Sequence, residues 1–146
     1  MSKKINPNLT AEQKLVLFED GTELAGTSEL NHEKREGSFY CANCGEKLFD
    51  SNTKYESGSG WPSFYKSLPD VFETKTDYHL GYARTEYHCK KCGGHHGHIF
   101  DDGPEPTGKR YCNNGVCLVF KPKSWIFDYF SKSWSLFSFS KALTSS

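Results

Sequence analysis

Ser38-Phe39-Tyr40-Cys41-Ala42-Asn43-Cys44-Gly45-Glu46-Lys47-Leu48-Phe49 is the stretch whose reading decides the fold. It runs apolar residues into a tight turn holding two cysteines and out into apolar residues again, the pattern of a strand, a knuckle and a returning strand. The form recurs at Thr85-Glu86-Tyr87-His88-Cys89 and Cys92-Gly93-Gly94-His95. In both copies a glycine follows the second cysteine, where the backbone must turn sharply so that amides face the sulfurs. Cys41, Cys44, Cys89 and Cys92 thus make a CxxC…CxxC set. Four thiolates suit tetrahedral Zn²⁺ and leave no open position, so the spacing predicts one structural zinc and not a catalytic one. An iron–sulfur centre or a dithiol redox pair is the competing use of the same spacing. A metal there would clamp two hairpins and hold the region between them against the C-terminal part of the domain.

Composition narrows the rest. At 146 residues the chain accommodates one domain with a real core and a tail. Its 18 basic and 18 acidic residues cancel, so overall charge makes no case for a nucleic-acid partner or an anionic membrane surface. No long apolar run appears, which argues against secretion and against a membrane span and makes a cytoplasmic location the expectation. Thiols stay reduced there, which favours the metal reading of the paired cysteines over disulfides.

Along the chain, 1–8 reads as a disordered lead-in. Thr10-Ala11-Glu12-Gln13 has the form of a capping box opening a short helix that ends near Glu19 to Gly21. Pro69 to Lys75 reads as a loop. Between the knuckles, Ser57-Gly58-Ser59-Gly60-Trp61-Pro62-Ser63-Phe64 pins an indole in a glycine-rich loop, since Pro62 holds Trp61 extended. Trp61 and Phe64 are candidate substrate-pocket walls, with ordinary core aromatics as the other reading. His95-His96-Gly97-His98-Ile99-Phe100-Asp101-Asp102 gathers three imidazoles and two carboxylates. Acid–base work by these imidazoles and carboxylates is the expectation, with a metal site using His95 and His98 as the competitor and a surface polar turn as the other reading of Asp101-Asp102-Gly103-Pro104.

Gly108-Lys109-Arg110-Tyr111-Cys112-Asn113-Asn114 holds a cysteine that the knuckles leave unused. On an extended strand Arg110, Cys112 and Asn114 share a face. A guanidinium beside the thiol favours the nucleophilic thiolate, so Cys112 is predicted to be a redox nucleophile. Cys117 lies an odd offset away. On one continuous strand it faces the other side and is a buried bystander, unless the strand breaks at Gly115. From Pro122 the composition turns to aromatics among serines, and 122–146 reads as an appended tail. Its apolar stripe is suited to packing on the domain or on a second copy as an oligomer.

With these residues assembled, the sequence resembles the B-type methionine sulfoxide reductases. The likeness covers Leu9 to Lys121 and rests on the two Cys-x-x-Cys-Gly units, Gly-Trp-Pro-Ser-Phe, His-x-Gly-His before Phe-Asp-Asp-Gly-Pro, and Arg-Tyr-Cys-x-Asn. The resemblance implies a mainly β fold of two small antiparallel sheets with short peripheral helices over residues 9–121. It implies Cys112 as nucleophile with Arg110 and Asn114 as neighbours and Trp61 against the sulfoxide methyl. His95, His98 and Asp102 would bind the sulfoxide oxygen and supply protons. The substrate would be oxidised methionine in peptides or proteins, reduced at its R epimer, and Cys112 would become a sulfenic acid. Many members place a resolving cysteine where this chain has Ser59, so a thioredoxin-like external reductant is expected to regenerate Cys112. His96, where the family usually has Leu, and Gly115-Val116-Cys117 depart from the family pattern. The rival reading is a zinc-ribbon binding module without redox activity.

Overall fold

A computed structural model describes residues 5–123. The capping box forms as the sequence predicts: Thr10 accepts from the Gln13 amide, Gln13 reaches back to the Thr10 amide, and α1 runs Ala11–Phe18. The segment before it is anchored. Asn6, within the expected lead-in 1–8 of which residues 1–4 lie outside the described part, donates its amide to Asn43 Oδ1 at 2.7 Å in the first knuckle.

Nine strands come after it among the described residues: β1 Gly37–Cys41, β2 Lys47–Asp50, β3 Lys54–Tyr55, β4 Ser63–Phe64, β5 Phe72–Asp77, β6 Arg84–Cys89, β7 His95–Phe100, β8 Arg110–Asn113 and β9 Leu118–Pro122. They pair antiparallel in two sheets, β2-β1-β9 and β3-β4-β8-β7-β6-β5. The fold is therefore mainly β with two antiparallel sheets and one α-helix among the described residues.

The core lies between the sheets. Phe64 stacks on Phe49 with ring centroids 3.9 Å apart and meets Phe39 edge-on at 4.9 Å, while Phe72 and Tyr87 pack edge-on at 4.5 Å. A smaller cluster of Leu9, Val16, Leu17 and Cys117 seats α1.

Two departures from the sequence expectation have plain causes. Residues Phe72–Asp77, within the segment read as a loop from Pro69 to Lys75, belong to edge strand β5. Four of its six residues are exposed, so its sequence lacks the apolar alternation that marks a half-buried strand. The strand expected to continue past Cys112 does break at Gly115. A 3-10 turn spans Gly115–Cys117, and the chain then crosses into the other sheet as β9. The buried Glu23 carboxylate holds this break by accepting the Gly115 and Val116 amides at 3.0 and 2.8 Å. Those two amides face a side chain instead of a neighbouring strand, which ends the ladder.

Candidate active site and metal centre

The two knuckles are built alike. The Cys41 amide donates to Glu46 and the Cys89 amide to Gly94, both at 2.8 Å, while Gly45 and Gly93 turn back onto the Cys41 and Cys89 carbonyls. Both glycines have φ above +80°, a conformation that a side chain would strain. The four sulfurs all lie within 4.8 Å of one another. Cys41 and Cys92 Sγ are 3.8 Å apart, and Cys44 and Cys89 Sγ 3.5 Å. Sulfurs about 2.3 Å from a tetrahedral Zn²⁺ stand about 3.8 Å from one another, so the set is positioned to hold a metal ion and is compatible with zinc. Contacts with Cys89 and Cys92, then burial, push the Cys41 thiol far up, because thiolates this close need a cation between them.

Strand parity sorts the second site. On β6, Tyr87 and Cys89 face the core, which leaves Arg84, Glu86 and His88 on the outer face. A bulge in the β6–β7 pairing between Tyr87 and His88 leaves one extra residue, His96, on β7. That insertion lets His95 and His98 share the outer face, with ring centroids 5.6 Å apart, while His96 is buried. β8 pairs His98 with Cys112 and Phe100 with Arg110. A side chain at Gly97 would collide with the Cys112 carbonyl, so the close approach of β7 to the strand carrying Cys112 requires glycine.

Together these elements form a cleft of about 100 Å³ walled by Thr22, Trp61, His95, His98, Phe100 and Cys112. Trp61 is fixed by its indole N–H, which donates to the Glu23 carbonyl at 2.9 Å. Ser59 Oγ stands 3.9 Å from Cys112 Sγ. Asn114 reaches the cleft, but its side chain is occupied: Oδ1 accepts from Glu23 and Nδ2 donates to His96.

Burial and charge bear on the sequence expectation at three positions, Cys112, Asp102 and Phe64. Burial pushes the Cys112 thiol up, against the hydrogen bond from Ser59 and the charge of Arg110, which lower it. The guanidinium cannot prevail because Asp102 grips it at 2.8 and 3.1 Å while it lies 4.3 Å over the Phe100 ring. Burial and charge thus act on the Cys112 thiol in opposite directions, with burial the larger influence. Asp102 is itself exposed and held below the usual carboxylate range by Arg110, so it suits positioning Arg110 and not donating protons. Phe64, expected on the pocket wall, is fully buried. It pairs with Tyr111 while Ser63 pairs with Cys112, and the period-2 alternation turns its ring into the core.

Sequence reasoning missed three groups. Asp77 Oδ2 bonds His98 Nε2 at 2.8 Å and Arg84 at 2.9 Å, and the His98 contact holds Asp77 well below the usual carboxylate range. Glu86 lies 3.0 Å from His95 Nδ1. Burial drives His95 down to about 4, against the pull of Glu86, so the ring is neutral near pH 7. Glu23 orders both Trp61 and the Gly115 turn. The parity of β6 could have revealed Glu86, but Asp77 and Glu23 sit in stretches without periodic signal. Cys117 is fully buried, its Sγ 3.5 Å from the His95 carbonyl, and burial holds its thiol well above the ordinary range.

A free cysteine in a small cleft beside two imidazoles and a fixed indole is an arrangement suited to thiol redox chemistry. The SelR domain family matches residues 9–122, so the chain belongs to that family, the B-type methionine sulfoxide reductases. A relative named peptide methionine sulfoxide reductase MsrB from Leptospira interrogans is 53% identical over 77% of this chain and 87% of its own length. Another of that name from Pseudomonas putida is 51% identical over 79% of this chain and 87% of its own. The mouse mitochondrial methionine-R-sulfoxide reductase B3 is 46% identical over 82% of this chain and 48% of its own length. Among the described residues no helix is long and apolar enough to cross a membrane.

Proposed function

We propose that this chain reduces the R epimer of methionine sulfoxide, in peptides or proteins, to methionine, with Cys112 as the nucleophile. The observation that carries the reading is the Cys112 thiol in a cleft shared with Trp61, His95 and His98. The substrate sulfur approaches Cys112 Sγ, its methyl packs on the Trp61 indole, and its oxygen lies toward His95 and His98. The Asp102–Arg110 pair sets the charge beside the thiol. Asn114 takes a positioning role through its bonds to Glu23 and His96.

The chemistry balances without an outside proton. Cys112 enters as S–H, an S–O bond forms to the nucleophile as the substrate S–O bond breaks, and the thiol proton ends on the oxygen transferred. Methionine leaves and Cys112 is a sulfenic acid. The proton given up by the Cys112 thiol as it attacks is needed on the oxygen, because oxygen is a poor leaving group as an oxide. An external thiol then attacks the sulfenic acid, releasing water and leaving a mixed disulfide, which a second thiol reduces. Ser59 beside Cys112 and the buried Cys117 both favour a thioredoxin-like or small-thiol reductant, in a reducing compartment such as the cytoplasm.

Zinc held by Cys41, Cys44, Cys89 and Cys92 is structural, tying the β1–β2 turn to the β6–β7 turn. Residues 9–121 form the reductase domain. The aromatic tail and any oligomer built through it lie outside the described residues.

An assay with both sulfoxide epimers, free and peptide-bound, tests the reading. Turnover confined to the R epimer is expected. No turnover of either epimer with any thiol reductant would leave the zinc-ribbon binding module as the better account.

A further inference from the structure

The outer face of the long sheet carries more chemistry than sulfoxide reduction uses. His88 and His95 face each other across the β6–β7 pairing, with ring centroids 5.7 Å apart, and Glu86 lies two residues from His88 on the same face. Glu86 Oε2 is 3.0 Å from His95 Nδ1 and 3.8 Å from His88 Nε2. One donor atom from each of the three residues lies within 4.8 Å of the other two. Donors about 2.0–2.2 Å from a tetrahedral Zn²⁺ stand about 3.4 Å apart, so small side-chain adjustments bring all three to bonding distance.

Two details favour a cation at this place. His95 Nδ1 is buried and makes no hydrogen bond, although the Glu86 oxygen is 3.0 Å away, so nitrogen and oxygen converge without the alignment that a shared proton needs. Lys75 pairs with Glu86 Oε1 at 3.5 Å and leaves Oε2 to face the imidazoles. The neighbouring set of Asp77, Glu86 and His98 is less suited, because Arg84 already holds the Asp77 oxygen that meets His98.

We propose that Glu86, His88 and His95 form a second metal site, separate from the four cysteines, for a divalent transition-metal ion of the Zn²⁺ or Co²⁺ type. Two imidazoles and one carboxylate make a sulfur-free donor set, and Glu86 and His95 also line a second cleft with Asp20, Thr22 and Asp77, from which water can take a fourth position. Occupation commits the His95 ring to the metal, so that it no longer serves the Cys112 cleft it lines. Filling the site therefore inhibits sulfoxide reduction, a consequence that rests on the role of His95 proposed above, whereas the site itself does not.

The test uses the full chain with zinc in the cysteine site, titrated with Co²⁺ and followed by absorption and calorimetry. The wild type is expected to bind a further equivalent with weak d–d bands and no new thiolate-to-cobalt charge transfer. His88→Gln is expected to bind it at least about tenfold more weakly, while keeping its cysteine-bound zinc and its activity in metal-free buffer. Saturation at one metal per chain, or equal affinity in His88→Gln, would overturn the site. Full activity of the Co²⁺-saturated wild type would overturn the inhibition. Should the protein reduce neither epimer, the reductase reading fails and the binding isotherm still decides the site.

Discussion

Cys112 draws its character from a contest between burial and nearby charge, and its neighbours can be altered one at a time. Ser59 stands where many relatives of the resembled family place a resolving thiol, 3.9 Å from Cys112 Sγ. Ser59→Cys is expected to form an internal disulfide after one turnover, seen as loss of both thiols in a mass spectrum; an intact pair of thiols would contradict the geometry. Asp77→Asn removes the charge that meets His98. Turnover is expected to drop by about tenfold or more with the melting temperature kept, and unchanged turnover would show that His98 needs no carboxylate. His95 makes a pH prediction. Buried, it stays neutral down to about pH 4, whereas in the unfolded chain it titrates near 6.5. Between those values the unfolded chain binds more protons, so this stability is whole above about pH 6.5 and is lost as pH falls toward 4. Urea midpoints measured from pH 7 to 4.5 should fall, less steeply in His95→Gln than in the wild type. Equal slopes would contradict the assignment.

Elements explain which residues could be read from sequence and which could not. Cys41, Cys44, Cys89 and Cys92 were legible because two local motifs repeat, and the partners of a knuckle are set by spacing alone. Cys112 and Trp61 were candidates from local chemistry and family likeness, and the fold brings them to one cleft. Phe64 was misplaced because a two-residue strand gives no alternation from which to read a face, and only its pairing with Tyr111 turns it inward. Phe64→Ala is accordingly expected to cost about 3–5 kcal/mol of stability, measured by chemical unfolding; a normal stability with a raised KM would restore Phe64 to the pocket. The bulge in β7 was equally silent. Nothing in His95-His96-Gly97-His98 announces that the middle histidine turns to the core, where it lies 3.3 Å from Cys41 Sγ.

At the scale of the molecule, the four cysteines join the β1–β2 turn to the β6–β7 turn, one in each sheet, and the Cys112 cleft lies on the outer face of the longer sheet. Cys41→Ser is expected to lose the metal and much of the fold together, since a structural zinc site contributes directly to folding. Cys112→Ser should leave both intact. The central claim is that oxygen passes from the substrate to Cys112. It is tested most directly by mixing reduced enzyme with a methionine-R-sulfoxide peptide in the absence of any reductant and mapping the protein by mass spectrometry with a sulfenic-acid-trapping reagent. The account requires one methionine formed per chain and the trapped sulfenic acid on Cys112 alone. Methionine formed with the oxygen or a disulfide on Cys117 or a knuckle cysteine, and Cys112 untouched, would contradict it.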